Sequence, residues 1–212
     1  MCAGASSSGD SGQSGRRPSG EAGFDASYAG HPPWDIGRPQ PVFVELAKQG
    51  LFQGRVLDAG CGTGEHALMS AALGLEATGI DLAPTAIDLA KRKAEDRGLQ
   101  ARFLVWDALR LAALGEQFDT VLDCGLFHVF DDAERAAFVT SLGAAIPPGG
   151  RYWMLCFSDR MPGVWGPRRV AQHEIRSSFS DGWRVDSIEP AEVEINIEPH
   201  AVLAWLSVIT RL

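Results

Sequence analysis

Basic charge is in short supply in this chain. Nineteen Lys and Arg stand against 27 Asp and Glu, a formal net charge of −8 over 212 residues, and the pI is near 5.1. A nucleic-acid backbone or an anionic membrane surface needs positive protein surface, so neither is expected as a partner. Long apolar runs are missing as well: nothing approaches the roughly 18 residues of a membrane-spanning helix. The first residues have no apolar signal core, Arg16–Arg17 precede polar residues, and Cys2 rather than Gly follows Met1. No secretory, twin-arginine or myristoyl signal is therefore expected, and the default location is cytoplasmic. Cysteine is sparse and scattered, at Cys2, Cys61, Cys124 and Cys156, without a C-x-x-C pair. That spacing argues against a disulfide framework or a zinc knuckle, and no metal site is expected. Internal repeats are also absent.

What is present is the composition of a soluble globular domain, 45% apolar and 22% charged. Residues 1–23, rich in Ser and Gly with little to bury, read as a disordered leader. From residue 42 to 212 the pattern alternates between helical and strand periods. "RVLDAG", "EATGID", "ARFLVWD", "FDTVLDCG" and "GGRYWMLCF" read as strands separated by amphipathic or Ala-rich helices; "WRVDSIEPAEVEI" and "HAVLAWLSVITRL" read as a sixth and a seventh strand. This predicts an α/β fold: a doubly wound, mostly parallel seven-stranded sheet with helices on both faces and the last strand antiparallel. Ligands of such sheets bind beyond the carboxyl ends of the strands. Asp58, Asp81, Asp107 and Asp123 all fall at or beside those ends.

"LDAGCGTGEHA" places Asp58, Gly60, Cys61, Gly62 and Gly64 at a strand-to-helix junction. Alternate glycines allow a tight turn and close approach of a ligand. The sixth position of the dinucleotide fingerprint is Glu65 instead of Gly or Ala, and carboxylates would oppose a pyrophosphate on that helix terminus. A ligand with a positive group and no phosphate suits the loop better. Asp81, about 20 residues further on, is where a ribose-binding carboxylate belongs. Asp107 is an acceptor for an adenine amino group. A sulfonium amino acid joined to a nucleoside matches all three positions.

The run "VLDAGCGTG…GIDL…WDAL…DCGLFHVF…PPGGRYW" resembles the class I S-adenosylmethionine-dependent methyltransferases. The resemblance implies S-adenosyl-L-methionine as cofactor, held through Asp58, Gly60, Cys61, Gly62, Gly64, Asp81 and Asp107. Leu82, Ala108 and Leu109 would form apolar walls, with Asp123 near the methionine ammonium. "HPPWDIGRPQP" ahead of the glycine motif and "FDTVLDCGLFHVFDDAERAAFV" around the fourth strand resemble the thiol and halide methyltransferases, which are related to the thiopurine and tellurite-resistance group. That likeness makes residues 24–41 a lid over the cofactor. Trp34 would face the sulfonium, and Arg38 would seat the lid. An indole face attracts a cationic methyl donor, and prolines limit the conformations a lid must lose on closing.

The expected activity is methylation of a small molecule at a thiol or other soft nucleophile. The alternative is O- or N-methylation of phenols, quinols or heteroaromatics, with a non-catalytic cofactor-binding protein further behind. His128 and Tyr28 are the candidate catalytic residues, weighed against plain packing roles for both. Cys124 is expected to be a buried thiol. Trp165, Arg168 and Arg169 lie where such folds select substrates and are left without a role. The protein is expected to be a monomer or homodimer.

Overall fold

The computed structural model describes residues 20–163 and 165–212. Of the expected leader, residues 1–19 lie outside the described residues, and Gly20–Ser27 form a helix, α1. A second helix, α2 (Pro41–Lys48), precedes the sheet; Pro41 opens it, where no backbone donor is needed. The strands are β1 (Arg55–Ala59), β2 (Glu76–Asp81), β3 (Ala101–Val105), β4 (Thr120–Cys124), β5 (Arg151–Phe157), β6 (Trp183–Glu194) and β7 (Ala201–Arg211). Between them run α3 (Glu65–Ala72), α4 (Pro84–Arg97), α5 (Asp132–Ala145) and α6 (Gln172–Ser178), with 3-10 turns at Ala108–Leu114 and Phe127–Val129.

Local chemistry sets several of these limits. Pro84 starts α4 and Gly98, at φ +63°, ends it in the left-handed conformation that glycine adopts without strain. A reciprocal capping box of Asp131 and Glu134 starts α5. Parallel strands buried on both faces favour continuous apolar runs, and β5 has one from Tyr152 to Phe157.

The sheet order is β3-β2-β1-β4-β5-β7-β6. β1 to β5 are parallel to their neighbours, while β7 runs antiparallel to both β5 and β6. The expected fold class is therefore what the structure has. One face packs α5, α6 and the 3-10 turn at Ala108–Leu114 onto Leu57, Val121, Tyr152 and Met154. The other packs α2 onto Val56, Leu122, Trp153 and Leu155, and α3 with α4 onto Ala77 and Phe103. Strand order reverses between β1 and β4, and sheets of this kind take their ligands beyond the carboxyl ends of the strands at such a point.

Candidate active site

The glycine loop after β1 is tied to β2: Cys61 N–H donates to the Ile80 carbonyl at 2.8 Å, and Gly62 N–H donates to Asp81 Oδ2 at 2.8 Å. Asp81 Oδ1 also accepts from Ala83 N–H at 2.9 Å. Asp58 lies beneath the loop, 1% exposed, and accepts from Ala67 N–H of α3 at 3.1 Å. Burial, with the charges of Asp81, Asp123 and Glu65 nearby, pushes its carboxyl up to about 7. Asp107 caps the 3-10 turn by accepting from Leu109 N–H at 2.9 Å, with Ala108 buried beside it. Leu82 is half-buried next to Asp81. A Cβ on Gly62 would stand 2.7 Å from the Tyr28 hydroxyl, and one on Gly60 would stand 3.2 Å from Leu126. Side chains are thus excluded from the loop by what lies over it.

Glu65 corrects one strand of the sequence argument. Its carboxylate turns away from the loop to Lys93 at 2.8 Å and to Arg97 at 2.8 and 2.9 Å. Burial would raise its pKa, yet Arg97 and Lys93 hold it below the ordinary value. Its charge is neutralised by α4, so it does not repel a phosphate as expected.

Asp123 is fully buried. Its carboxylate takes N–H donors from Leu126 at 2.7 Å and Phe127 at 3.0 Å, and the Tyr152 hydroxyl at 2.5 Å. The structure gives it the work of folding the turn after β4, which burial with these donors leaves at a pKa of about 6. That turn places His128 beside Gly125, whose Cβ would stand 3.2 Å from the imidazole. His128 Nδ1 accepts from Phe157 N–H at 3.0 Å, so in the neutral ring the proton is on Nε2. Cys124 and Cys61 are thiols pushed well up by burial.

Residues 25–40 cross from α4 to the edge of the sheet. Asp25 Oδ1 accepts from Thr85 N–H at 2.8 Å, and Trp34 Nε1 donates to the Tyr28 hydroxyl at 3.0 Å. Asp35 accepts from the Thr63 hydroxyl at 3.1 Å. Asn196 Nδ2 donates to the carbonyls of Pro32 and Asp35, both at 3.0 Å. Gln40 exchanges two hydrogen bonds with the Glu194 backbone at 2.8 and 2.9 Å, and its own N–H donates to His66 Nε2 at 3.1 Å. Arg38 pairs with Glu194 on the sheet edge instead of turning to the glycine loop. Tyr28 is buried, its phenol raised by burial and then by Asp81, whereas Trp34 is 40% exposed. The structure therefore brings Tyr28, Trp34, Gly62 and Asp81 together and places Arg38 away from them, paired with Glu194.

A family model described as a methyltransferase domain matches residues 56–150. The 2-heptyl-1-hydroxyquinolin-4(1H)-one methyltransferase of Mycobacteroides abscessus is 40% identical over 184 residues, 82% of this chain and 81% of the relative. The chain belongs to the S-adenosylmethionine-dependent methyltransferases. A probable thiol methyltransferase 2 of Arabidopsis thaliana is 30% identical over 144 residues, 64% of this chain and 61% of the relative. Among solved structures, one concerned with the conversion of a disulfide bond into a thioacetal group during echinomycin biosynthesis superposes with a TM-score of 0.80. It is 42% identical and covers 89% of this chain and 91% of its own.

The methyltransferase site fits a cationic donor on its own evidence. Asp58 is a carboxyl whose ionisation is opposed by burial, and a counter-ion would relieve it. The glycines let the loop pass close under Tyr28 and Leu126, where a Cβ would collide. Sequence reasoning missed Asp35, Gln40, His66 and Asn196. Asp35 stood inside the quoted lid motif and was recoverable there. Asn196 lies 164 residues from Pro32 in the chain, and no local signal marks it.

Proposed function

We propose that this methyltransferase acts on a small, largely apolar molecule whose nucleophile arrives without needing an enzymic base. It is a thiolate, or a ring hydroxyl acidic enough to be ionised at neutral pH. One observation carries this reading: the Nδ1 lone pair of His128 is already taken by Phe157 N–H. Nε2 then carries the proton and acts as a donor, not as a base. Asp123 is spent on the backbone amides of Leu126 and Phe127 and on the Tyr152 hydroxyl, while Asp58 and Asp81 serve the cofactor in this reading. The relative that acts on a 1-hydroxyquinolin-4(1H)-one and the thiol methyltransferase relative support the two arms.

In the proposed site Asp58 offsets the donor's ammonium charge, Asp81 accepts from the ribose hydroxyls, and Asp107 accepts from adenine. Gly60, Cys61, Gly62 and Gly64 leave room for the nucleoside and methionine ends. Leu82, Ala108 and Leu109 flank the base, and Asp123 acts through the turn it holds. Tyr28 and Trp34 close over the glycine loop, with Arg38 and Asn196 anchoring the lid. The bound donor supplies an electrophilic methyl group on a sulfonium. That methyl group would pass to the acceptor's sulfur or oxygen, with S-adenosylhomocysteine as the leaving group. Alignment in a closed site is worth up to about 7–11 kcal/mol in favourable intramolecular comparisons. The lid also excludes water, which would otherwise solvate the anion.

The test is a panel at several pH values: an aryl thiol, 2-heptyl-1-hydroxyquinolin-4(1H)-one, and a simple phenol with a pKa of about 10. The first two should turn over, with kcat/KM rising as each acceptor ionises, and His128→Ala should keep the same pH profile. Phenol turnover comparable with the thiol's, or a bell-shaped profile that His128→Ala abolishes, would overturn the base-free reading.

A further inference from the structure

Between β5 and α6, residues 158–163 and 165–171 are organised around one guanidinium. Arg169 donates to the carbonyls of Met161 at 3.5 Å, Pro162 at 3.3 Å and Pro167 at 3.0 Å, and also to that of Trp165. Those bonds draw one loop around a single cation, whose carbon lies 5.9 Å from the Trp165 ring centroid. The result keeps a large indole 43% exposed. Trp165 meets Phe157 edge-to-face at 6.3 Å and 84°, and Phe157 meets His128 edge-to-face at 4.8 Å and 69°. A continuous row of rings thus runs from the turn after β4 out to the rim. Its inner end, beside Gly125, follows the strand that pairs with β1 through Asp123 and Ala59, next to the glycine loop.

We propose that Trp165 is the aromatic platform for the methyl acceptor and determines specificity, favouring flat heteroaromatic acceptors over open-chain ones. This deepens the function proposed above and rests on the same site. An exposed indole leaves apolar surface in water unless a ligand covers it, and a π-face rewards a flat partner beyond area alone. The Arg169 frame restricts the loop before binding, so less conformational freedom is lost when a ligand arrives. The acceptor would lie against the exposed indole of Trp165, with its nucleophile directed toward the inner end of the row, where Phe157 and His128 are buried.

The experiment is calorimetry on the full chain saturated with S-adenosylhomocysteine, using 2-heptyl-1-hydroxyquinolin-4(1H)-one and 1-octanethiol as probes. Trp165→Ala should bind the quinolone roughly tenfold or more weakly, with octanethiol affected about twofold at most. Trp165→Phe, which keeps a π-face, should stay within about threefold of wild type for the quinolone. Affinity for S-adenosylhomocysteine should be unchanged in both variants, which also shows that they fold. Three outcomes would overturn the proposal: unaltered quinolone binding in Trp165→Ala, equal weakening of both probes, or a wild type that takes octanethiol and refuses the quinolone. Failure of the base-free reading is separate, because it appears as phenol turnover by the wild type and leaves this binding comparison intact.

Discussion

Gly62 shows how a single atom is excluded from this site. It sits at φ +52°, and the Tyr28 hydroxyl stands 2.7 Å from where its Cβ would be. Gly62→Ala therefore meets two penalties, a left-handed backbone and a collision with a buried phenol that is also bonded to Trp34. We expect a loss on the order of 1–3 kcal/mol in stability. Cofactor affinity should fall as well, because Tyr28 must move off the loop. Thermal melts with and without S-adenosylhomocysteine check this, and a variant with wild-type values for both would refute it. At this scale the sequence was readable where chemistry is local. The aspartates after β1, β2 and β3 and the glycines between them follow from strand, loop and helix order alone. Glu65 was misread because its partners, Lys93 and Arg97, lie 28 and 32 residues away on another helix.

Among the elements, the lid and α3 are joined by one imidazole. His66 Nε2 accepts from Gln40 N–H at 3.1 Å, so its proton is on Nδ1, 3.9 Å from Asp58 Oδ1. Gln40 in turn is bonded to the Glu194 backbone, so lid, sheet edge and the buried acid share one chain of contacts. Burial lowers the His66 pKa to about 4, which keeps the ring neutral through the physiological range. His66→Leu should leave the Gln40 N–H without a partner, costing about 1–3 kcal/mol. It should also speed dissociation of S-adenosylhomocysteine, since the lid loses an anchor. His66→Asn, with an acceptor and a donor in reach, should recover most of both. Stopped-flow release rates and melts decide the matter; equal behaviour of the Leu and Asn variants would reduce His66 to filler. The segment itself was legible as a rigid stretch from its prolines and Trp34. Its anchoring was not, because hydrogen bonds to Asn196 and Glu194 join parts of the chain more than 150 residues apart. Helix α1 was hidden for a similar reason: "GEAGFDAS" has little helical periodicity, and its Asp25 is tied to Thr85 of α4.

For the whole molecule, the sheet was legible from the alternation of strand and helix patterns along the chain, whereas its order, with β7 between β5 and β6, was not read from the sequence. The same topology gathers acids at one rim of a chain that carries a net charge of −8. The consequence is a coupling between pH, stability and cofactor. Burial raises Asp58 to about 7, against about 4 in an unfolded chain. The folded state therefore holds that proton more tightly. Stability from this group is full below the unfolded value and falls as pH rises toward 7, by up to roughly 3–4 kcal/mol. Asp123, raised to about 6, acts in the same direction. Carboxyls held low by partners, such as Glu65, act the opposite way and lose stability in acid. The free protein should thus be most stable in mildly acidic solution. A bound ammonium beside Asp58 stabilises the carboxylate, so binding should expel its proton. Calorimetry of S-adenosylhomocysteine near pH 6, repeated in buffers of different ionisation enthalpy, should report up to about one proton released per ligand. The melting-point gain on binding should grow between about pH 5.5 and 7.5 as that release is no longer needed. Asp58→Asn should remove the buffer dependence. Heats that are the same in every buffer for the wild type would mean that the buried acid is not where the ligand's positive charge is met.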